Sequence, residues 1–242
     1  MSHRWSLLAF GAALCSAMVA SSRTVEADPP VLAELFTSQG CSSCPPADAL
    51  LGALAKRPDI LALSFHVDYW DGPSWRDPFA LRLATVRQRH YAEILRAQVY
   101  TPQIVIDGRA ETVGSDPGRV AALLQQSRPA TVIATIHPFD GKLAVHVDGS
   151  SEVPAHLEAD ILLVTFDPMH QTPVRGGENG GRYLATYNDV RSLRTIGRWQ
   201  GEAISVDVPR EPSDIGTRAA IIVQSSDGVI WALAATNLDT VD

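Results

Sequence analysis

The sequence predicts an α/β protein whose second half is a β-rich, antiparallel, sandwich-like unit. Three observations carry that prediction. A strand–helix–strand order surrounds Cys41 and Cys44, Asp-Gly pairs punctuate alternating segments, and the pattern changes at Ser127-Arg128-Pro129.

Val31 to Phe36 is a short apolar run of the kind that forms a buried strand. It passes through Thr37-Ser38-Gln39-Gly40 into Cys41-Ser42-Ser43-Cys44-Pro45-Pro46. Leu50, Leu51 and Leu54 then recur at helical spacing between Ala47 and Lys56, and Pro58-Asp59 ends the run. Pro45 suits a first helical turn, whereas Pro46 pushes against it, so regular helix is expected from Ala47. Ile60 to Val67 is a second apolar strand, which completes a βαβ unit with parallel strands and a right-handed crossover. Asp68 to Pro78 is rich in aromatic and turn residues and has no regular assignment. Phe79 to Gln98 sets Leu81, Ala84, Tyr91, Ile94 and Leu95 against Arg82, Arg87, Arg89 and Arg96, an amphipathic helix that Tyr100-Thr101-Pro102 breaks. Gln103 to Ile106 is a strand, Asp107-Gly108 turns it into Ala110 to Val113, and Pro117 opens a helix that runs to Gln126.

The order β-α-β-α-β-β-α is that of a thioredoxin-like core. After Pro129, Thr131 to Ile136 and Lys142 to Val147 read as a hairpin about Asp140-Gly141. Ile161 to Phe166 is another apolar strand, and Ala219 to Gln224 pairs with Val229 to Ala235 about Asp227-Gly228. The expected division is therefore residues 1–27 as a signal peptide, 28–128 as a thioredoxin-like domain and 129–242 as a β-rich domain.

With 242 residues, 45% of them hydrophobic and 19% charged, the chain has the composition of a globular protein with a sizeable core. A net charge of -7 and the lack of any Lys/Arg run argue against a nucleic-acid partner. His3 and Arg4, the apolar run Leu7 to Val19 and the small residues up to Ala27 have the form of a secretory signal. That run is short for a membrane span. The expectation is an exported protein, periplasmic or secreted, with no stable membrane insertion once the signal is removed. Cys15 falls inside the signal, leaving Cys41 and Cys44.

Two residues between cysteines at a helix start let the sulfurs meet across the first turn. The first also faces the positive end of the helix dipole, which favours its thiolate. Attack on a disulfide would join Cys41 to the substrate, and Cys44 would resolve the intermediate. The pair closes too short a loop to be an efficient staple. An inert structural bridge is the plainer alternative, and half a zinc site has the same spacing. The expected cofactor is none beyond the Cys41–Cys44 disulfide itself. The expected partners are exported protein thiols or a redox partner protein.

Leu35-Phe36-Thr37-Ser38-Gln39-Gly40-Cys41-Ser42-Ser43-Cys44-Pro45-Pro46, with His66-Val67-Asp68-Tyr69-Trp70-Asp71 and Tyr100-Thr101-Pro102-Gln103, resembles a family of secreted bacterial thioredoxin-like proteins catalogued as a domain of unknown function. The resemblance extends over Arg175-Gly176-Gly177-Glu178-Asn179 and Asn188-Asp189-Val190-Arg191. It implies a cis bond at Thr101-Pro102 facing the cysteines, with neighbouring backbone that binds a substrate chain. It also implies a buried carboxylate on the preceding strand, for which Glu34 is the candidate, acting as base for Cys44. The alternative for Glu34 is a solvent-facing strand residue.

His66 and Asp68 share a face if their strand continues that far, where they would tune the Cys41 thiolate or shuttle protons. The plainer alternative is that His66 caps a strand while Tyr69 and Trp70 pack the insertion. Cys41, Cys44 and His66 form the alternative site, a Cu(I) site like that of thioredoxin-like copper chaperones. A third possibility is a non-catalytic thioredoxin-fold binding protein. Ser42-Ser43 and Gly40 depart from the residues that redox enzymes commonly carry there. Arg175, Glu178, Asn188 and Arg191 are candidates to line a groove between the two halves, or simply to be solvated.

Overall fold

The computed structural model describes residues 29–127, 130–154, 156–211 and 217–238. The expected signal peptide and the 128/129 boundary lie outside the described residues. No helix among the described residues is long and apolar enough to cross a membrane.

The chain runs β1 (Val31–Thr37), α1 (Pro45–Leu54), β2 (Ile60–His66), α2 (Arg82–Leu95), β3 (Gln103–Ile106), β4 (Ala110–Val113), α3 (Pro117–Gln126), β5 (Ala134–Phe139), β6 (Lys142–Val147), β7 (Ala159–Pro173), β8 (Tyr183–Trp199), β9 (Ile204–Pro209), β10 (Arg218–Ser225) and β11 (Ile230–Asn237). Eight strands form a mixed sheet in the order β11-β10-β7-β8-β2-β1-β3-β4, and β5-β6-β9 form a second, antiparallel sheet. β1 and β2 are parallel, as expected of the βαβ unit.

Three differences from the sequence expectations have physical reasons. Helix α1 begins at Pro45, because a helix's first turn has no use for the N–H groups that Pro45 and Pro46 lack. Helix α2 is shorter than its apolar pattern and ends where Arg96 adopts a left-handed conformation at φ 52°. The third is β8, a 17-residue strand that sequence patterning missed because Asn188, Asp189, Arg191 and Arg194 interrupt its apolar run. β8 pairs along its length with β7 on one side, and with β2 through Ser64 and Asp189 on the other.

The halves expected on either side of residues 128 and 129 consequently share one sheet. They also share a core, in which Leu32, Phe36, Leu63 and Phe65 pack in one cluster with Val164, Phe166, Ala220 and Ile222. The opposite parity of β1, Ala33 and Leu35, packs against Ala47 and Leu51 of α1 and Val120 of α3. The small sheet covers Ile161, Leu163, Ile221 and Val223 of the large one, a sandwich-like contact. Its β5–β6 hairpin turns at Asp140 and Gly141, both at positive φ (47° and 68°), as the Asp-Gly pair requires.

Candidate functional site

The cysteine loop leaves β1 at Thr37 and enters α1 within seven residues. Its turns are locally determined: Ser38 Oγ accepts Gly40 N–H at 3.0 Å, and Ser38 O accepts Cys41 N–H at 3.1 Å. Cys44 is the N-cap of α1, with its carbonyl accepting Ala47 N–H at 2.8 Å and Asp48 N–H at 3.1 Å. Cys41 and Cys44 are joined as a disulfide, and they are 1% and 0% exposed. Ser43 Oγ lies 3.3 Å from Cys41 Sγ.

Pro102 sits beside this loop because the register opposes Gln103 to Phe36. The Thr101-Pro102 peptide is cis. Trp70 links the two segments: its Nε1–H donates to Thr101 Oγ1 at 2.8 Å, and its Cβ would lie 3.3 Å from a side chain at position 40. Gly40 is thus explained by packing, since a side chain there would crowd Trp70 and Ser38.

A buried polar network lies beneath the loop. His66, at the end of β2 and 1% exposed, is held on both ring nitrogens, 2.7 Å from Asp77 Oδ2 and 3.1 Å from Asp189 Oδ1. Burial opposes the imidazolium, but the two carboxylates outweigh it and push His66 up to about 10. Asp77 Oδ2 also accepts Gln39 N–H at 2.7 Å, tying the network to the cysteine loop. Asp48 completes it from α1, accepting Thr37 Oγ1–H at 2.8 Å. Burial pushes the Asp48 carboxyl up to about 7, against the opposing pull of His66 and Thr37.

The second half of the chain closes over the same loop. Asn179, 0% exposed, donates through Nδ2 to Gln39 O at 3.0 Å and Cys41 O at 2.8 Å. Glu178 Oε2 accepts Ser42 N–H at 3.0 Å. The same segment also packs on the loop after Trp70, where a Cβ on Gly176 would stand 2.0 Å from Ser74 O.

Residues 32–224 match the family described as "Protein of unknown function (DUF1223)". The chain belongs to that family. The match runs from β1 to β10 and includes both the cysteine loop and the Gly176–Asn179 segment that covers it. No curated protein matches the chain. Among solved structures it is similar to the crystal structure of Protein AGR_C_4864 from Agrobacterium tumefaciens, with 25% identity, a TM-score of 0.76, and coverage of 90% of this chain and 98% of that one.

Two expectations of the sequence are corrected by the geometry of this family member. Glu34 shares its face of β1 with Leu32 and Phe36, the α2 side of the sheet, so it does not meet α1 or Cys44. It is 0% exposed and takes Arg87 Nε–H at 2.6 Å, Arg87 Nη2–H at 3.1 Å and the Tyr91 hydroxyl. Asp68 does not share a face with His66, because β2 stops at His66 and Asp68 opens a single 3-10 turn. Its carboxylate accepts from Thr85 of α2 instead. The buried carboxylate on the α1 side is Asp48, which sequence reasoning passed over although it lies one helical turn after Cys44. Asp77 and Asp189 were also missed. Asp77 is in the unassigned loop and Asp189 in the undetected strand, so no local pattern marked either as a partner of His66. For the Cu(I) alternative, both nitrogens of His66 are already engaged. Among the described residues no three His, Cys, Asp or Glu side chains are grouped to hold a metal ion.

Proposed function

We propose that this is an exported, thioredoxin-like thiol–disulfide oxidoreductase in which Cys41 exchanges with substrate and Cys44 resolves the intermediate. The observation that carries the reading is the placement of the Cys41–Cys44 disulfide at the start of α1, with Asp48 buried one helical turn on and Pro102 immediately before the strand β3 that pairs with β1. The parallel βαβ unit, the antiparallel β3–β4 pair and α3 support the thioredoxin-like part of this reading. The Leu7 to Val19 run supports export.

In the exchange, the Cys41 thiolate attacks one sulfur of a protein disulfide and expels the other as a thiolate. Cys44 then passes its proton toward Asp48 and attacks the mixed disulfide. The substrate leaves as a dithiol and the Cys41–Cys44 bond is restored. Asp48 suits this role because a base works best with a pKa near the working pH. Asp48→Asn keeps the shape and removes the titration. It is expected to slow resolution by about a hundredfold at neutral pH, the lower end of what a positioned general base contributes, measured as decay of a preformed mixed disulfide.

The deciding experiment is a trap. Cys44→Ser leaves Cys41 without its resolver and should accumulate mixed disulfides with exported proteins, seen on non-reducing gels and absent from Cys41→Ser. The burial of both cysteines favours the second reading, an inert structural bridge. If Cys44→Ser accumulates no mixed disulfide, the bridge reading replaces the enzymatic one.

A further inference from the structure

The Gly176–Arg182 segment brings a carboxylate, Glu178, onto the backbone of the cysteine loop, while its cation, Arg182, reaches that loop only through Asn179. Glu178 is held on Ser42, and that contact keeps its carboxyl below the usual range, hence ionised. Among the described residues it forms no ion pair; Arg182, four residues on, gives Nη1–H to Asn179 Oδ1 at 2.7 Å. The two hydrogen bonds of Asn179 to Gln39 and Cys41 anchor the segment that carries this carboxylate to the backbone of the cysteine loop.

Other features of the loop act in the same sense. A helix start stabilises a thiolate through free N–H groups, but Pro45 and Pro46 have none, and Ala47 and Asp48 donate theirs to Cys44 O. Cys44 N–H is spent on Cys41 O at 3.3 Å. Cys41 is buried, which disfavours its charged form. On the other side, Ser43 Oγ places a hydroxyl 3.3 Å from Cys41 Sγ. His66, the cation of the buried network, is flanked by Asp77 and Asp189, with Asp48 on α1 facing the same network.

Resting on the exchange reading above, we propose that Glu178 is a positioning residue that keeps reduced Cys41 protonated and so poises the pair as an electron donor to protein disulfides. Strongly oxidising pairs owe their potential to a stabilised thiolate in the reduced form. This loop withholds that stabilisation. The reduced pair therefore gives two electrons to the substrate disulfide, and its two protons end on the released substrate thiols. An external protein dithiol then re-reduces Cys41–Cys44, itself becoming a disulfide.

The test follows iodoacetamide alkylation of Cys41 against pH in the Cys44→Ser background, with Glu178, Glu178→Gln and Glu178→Lys. Glutamine keeps an oxygen for Ser42 N–H and removes only the charge. With Glu178 present, Cys41 should titrate at or above the free-thiol value of roughly 8.5. Glu178→Gln should raise its acid dissociation constant by about threefold to tenfold, the lysine variant should raise it further, and added salt should shrink the difference. Wild-type protein should also remain oxidised in glutathione buffers and become reduced in dithiothreitol. A Cys41 already ionised at neutral pH, or a titration indifferent to position 178, overturns the proposal while leaving exchange itself intact. If neither Cys41 nor its Glu178→Gln variant exchanges with a disulfide probe, the exchange reading falls and this inference falls with it.

Discussion

Replacing Arg87 with methionine is expected to lower the free energy of unfolding by about 3–5 kcal/mol, the range seen when one partner of a buried ion pair is removed. Arg87 approaches Glu34 through two nitrogens, at 2.6 and 3.1 Å, and gives a third contact to Tyr91 at 2.8 Å. Tyr91 in turn takes Gln224 Nε2–H at 3.0 Å, so the cluster joins β1 and α2 to β10 in the other half of the chain. Methionine fills much of the space but leaves a 0% exposed carboxylate with no cation. The cost comes from that stranded charge rather than from the lost pair, which gives the test a second arm. Converting both members, Glu34→Leu with Arg87→Met, should recover a large part of the loss, because well-packed apolar replacements of buried pairs are often neutral. Urea denaturation of the oxidised single and double variants measures both. A loss below about 1 kcal/mol in Arg87→Met, the value of an exposed pair, would show that the carboxylate finds water. Thiol titration of Cys41 should not change in either variant, since the cluster lies on the α2 face.

What the sequence revealed here follows from how local each signal is. β1, β2 and the β3–β4 hairpin were legible because apolar runs and Asp107-Gly108 act within a few residues. α3 was bounded at both ends, by Pro117 and by Gln126, as found. Cys41 and Cys44 were legible as a pair because spacing alone brings their sulfurs together. Glu34 was read correctly as a polar residue on an apolar strand, but which face it occupied depended on a partner 53 residues away. His66 was likewise visible, while its two carboxylates come from a loop and from a strand 123 residues away. Ser42 could not announce a partner 136 residues later. Glu178 and Asn179 reach the cysteine loop only because β7 and β8 form the long hairpin that places their connecting segment there. The tertiary half of the candidate site was thus hidden where its long-range partners were.

The largest pH effect should come from His66, and His66→Phe should both destabilise the protein and steepen its response to mild acid. In the native fold His66 is raised to about 10, whereas the unfolded residue has the ordinary value of 6.5. Its contribution is therefore fully present below pH 6.5 and is lost as pH rises through about 10. Asp48, raised to about 7 from 3.8, adds in the same sense: the folded state holds a proton that the unfolded chain has given up, and that advantage fades as pH rises through about 7. Asp77 works oppositely, because its folded value is depressed. Burial alone would raise it, but His66 and the N–H groups of Gln39 and Phe79 overcome that, so its contribution is lost as pH falls below 3.8. Wild-type stability should accordingly peak at about pH 4 and decline from there toward alkaline pH, first through Asp48 and then through His66. Phenylalanine at position 66 keeps the contact with Phe79 but leaves Asp77 and Asp189 facing one buried space without a cation. The expected loss near neutral pH is about 3–5 kcal/mol. A proton on either carboxylate relieves the repulsion, so on mild acidification the variant should gain more stability than the wild type, which gains there through Asp48. Thermal melts of the oxidised proteins across that range measure the effect. Parallel pH profiles for the two would mean that the aspartates do not depend on the imidazolium. Since Asp77 also holds Gln39 N–H, the same substitution should loosen the cysteine loop and speed reduction of Cys41–Cys44 by dithiothreitol, which ties the buried network to the chemistry proposed above it.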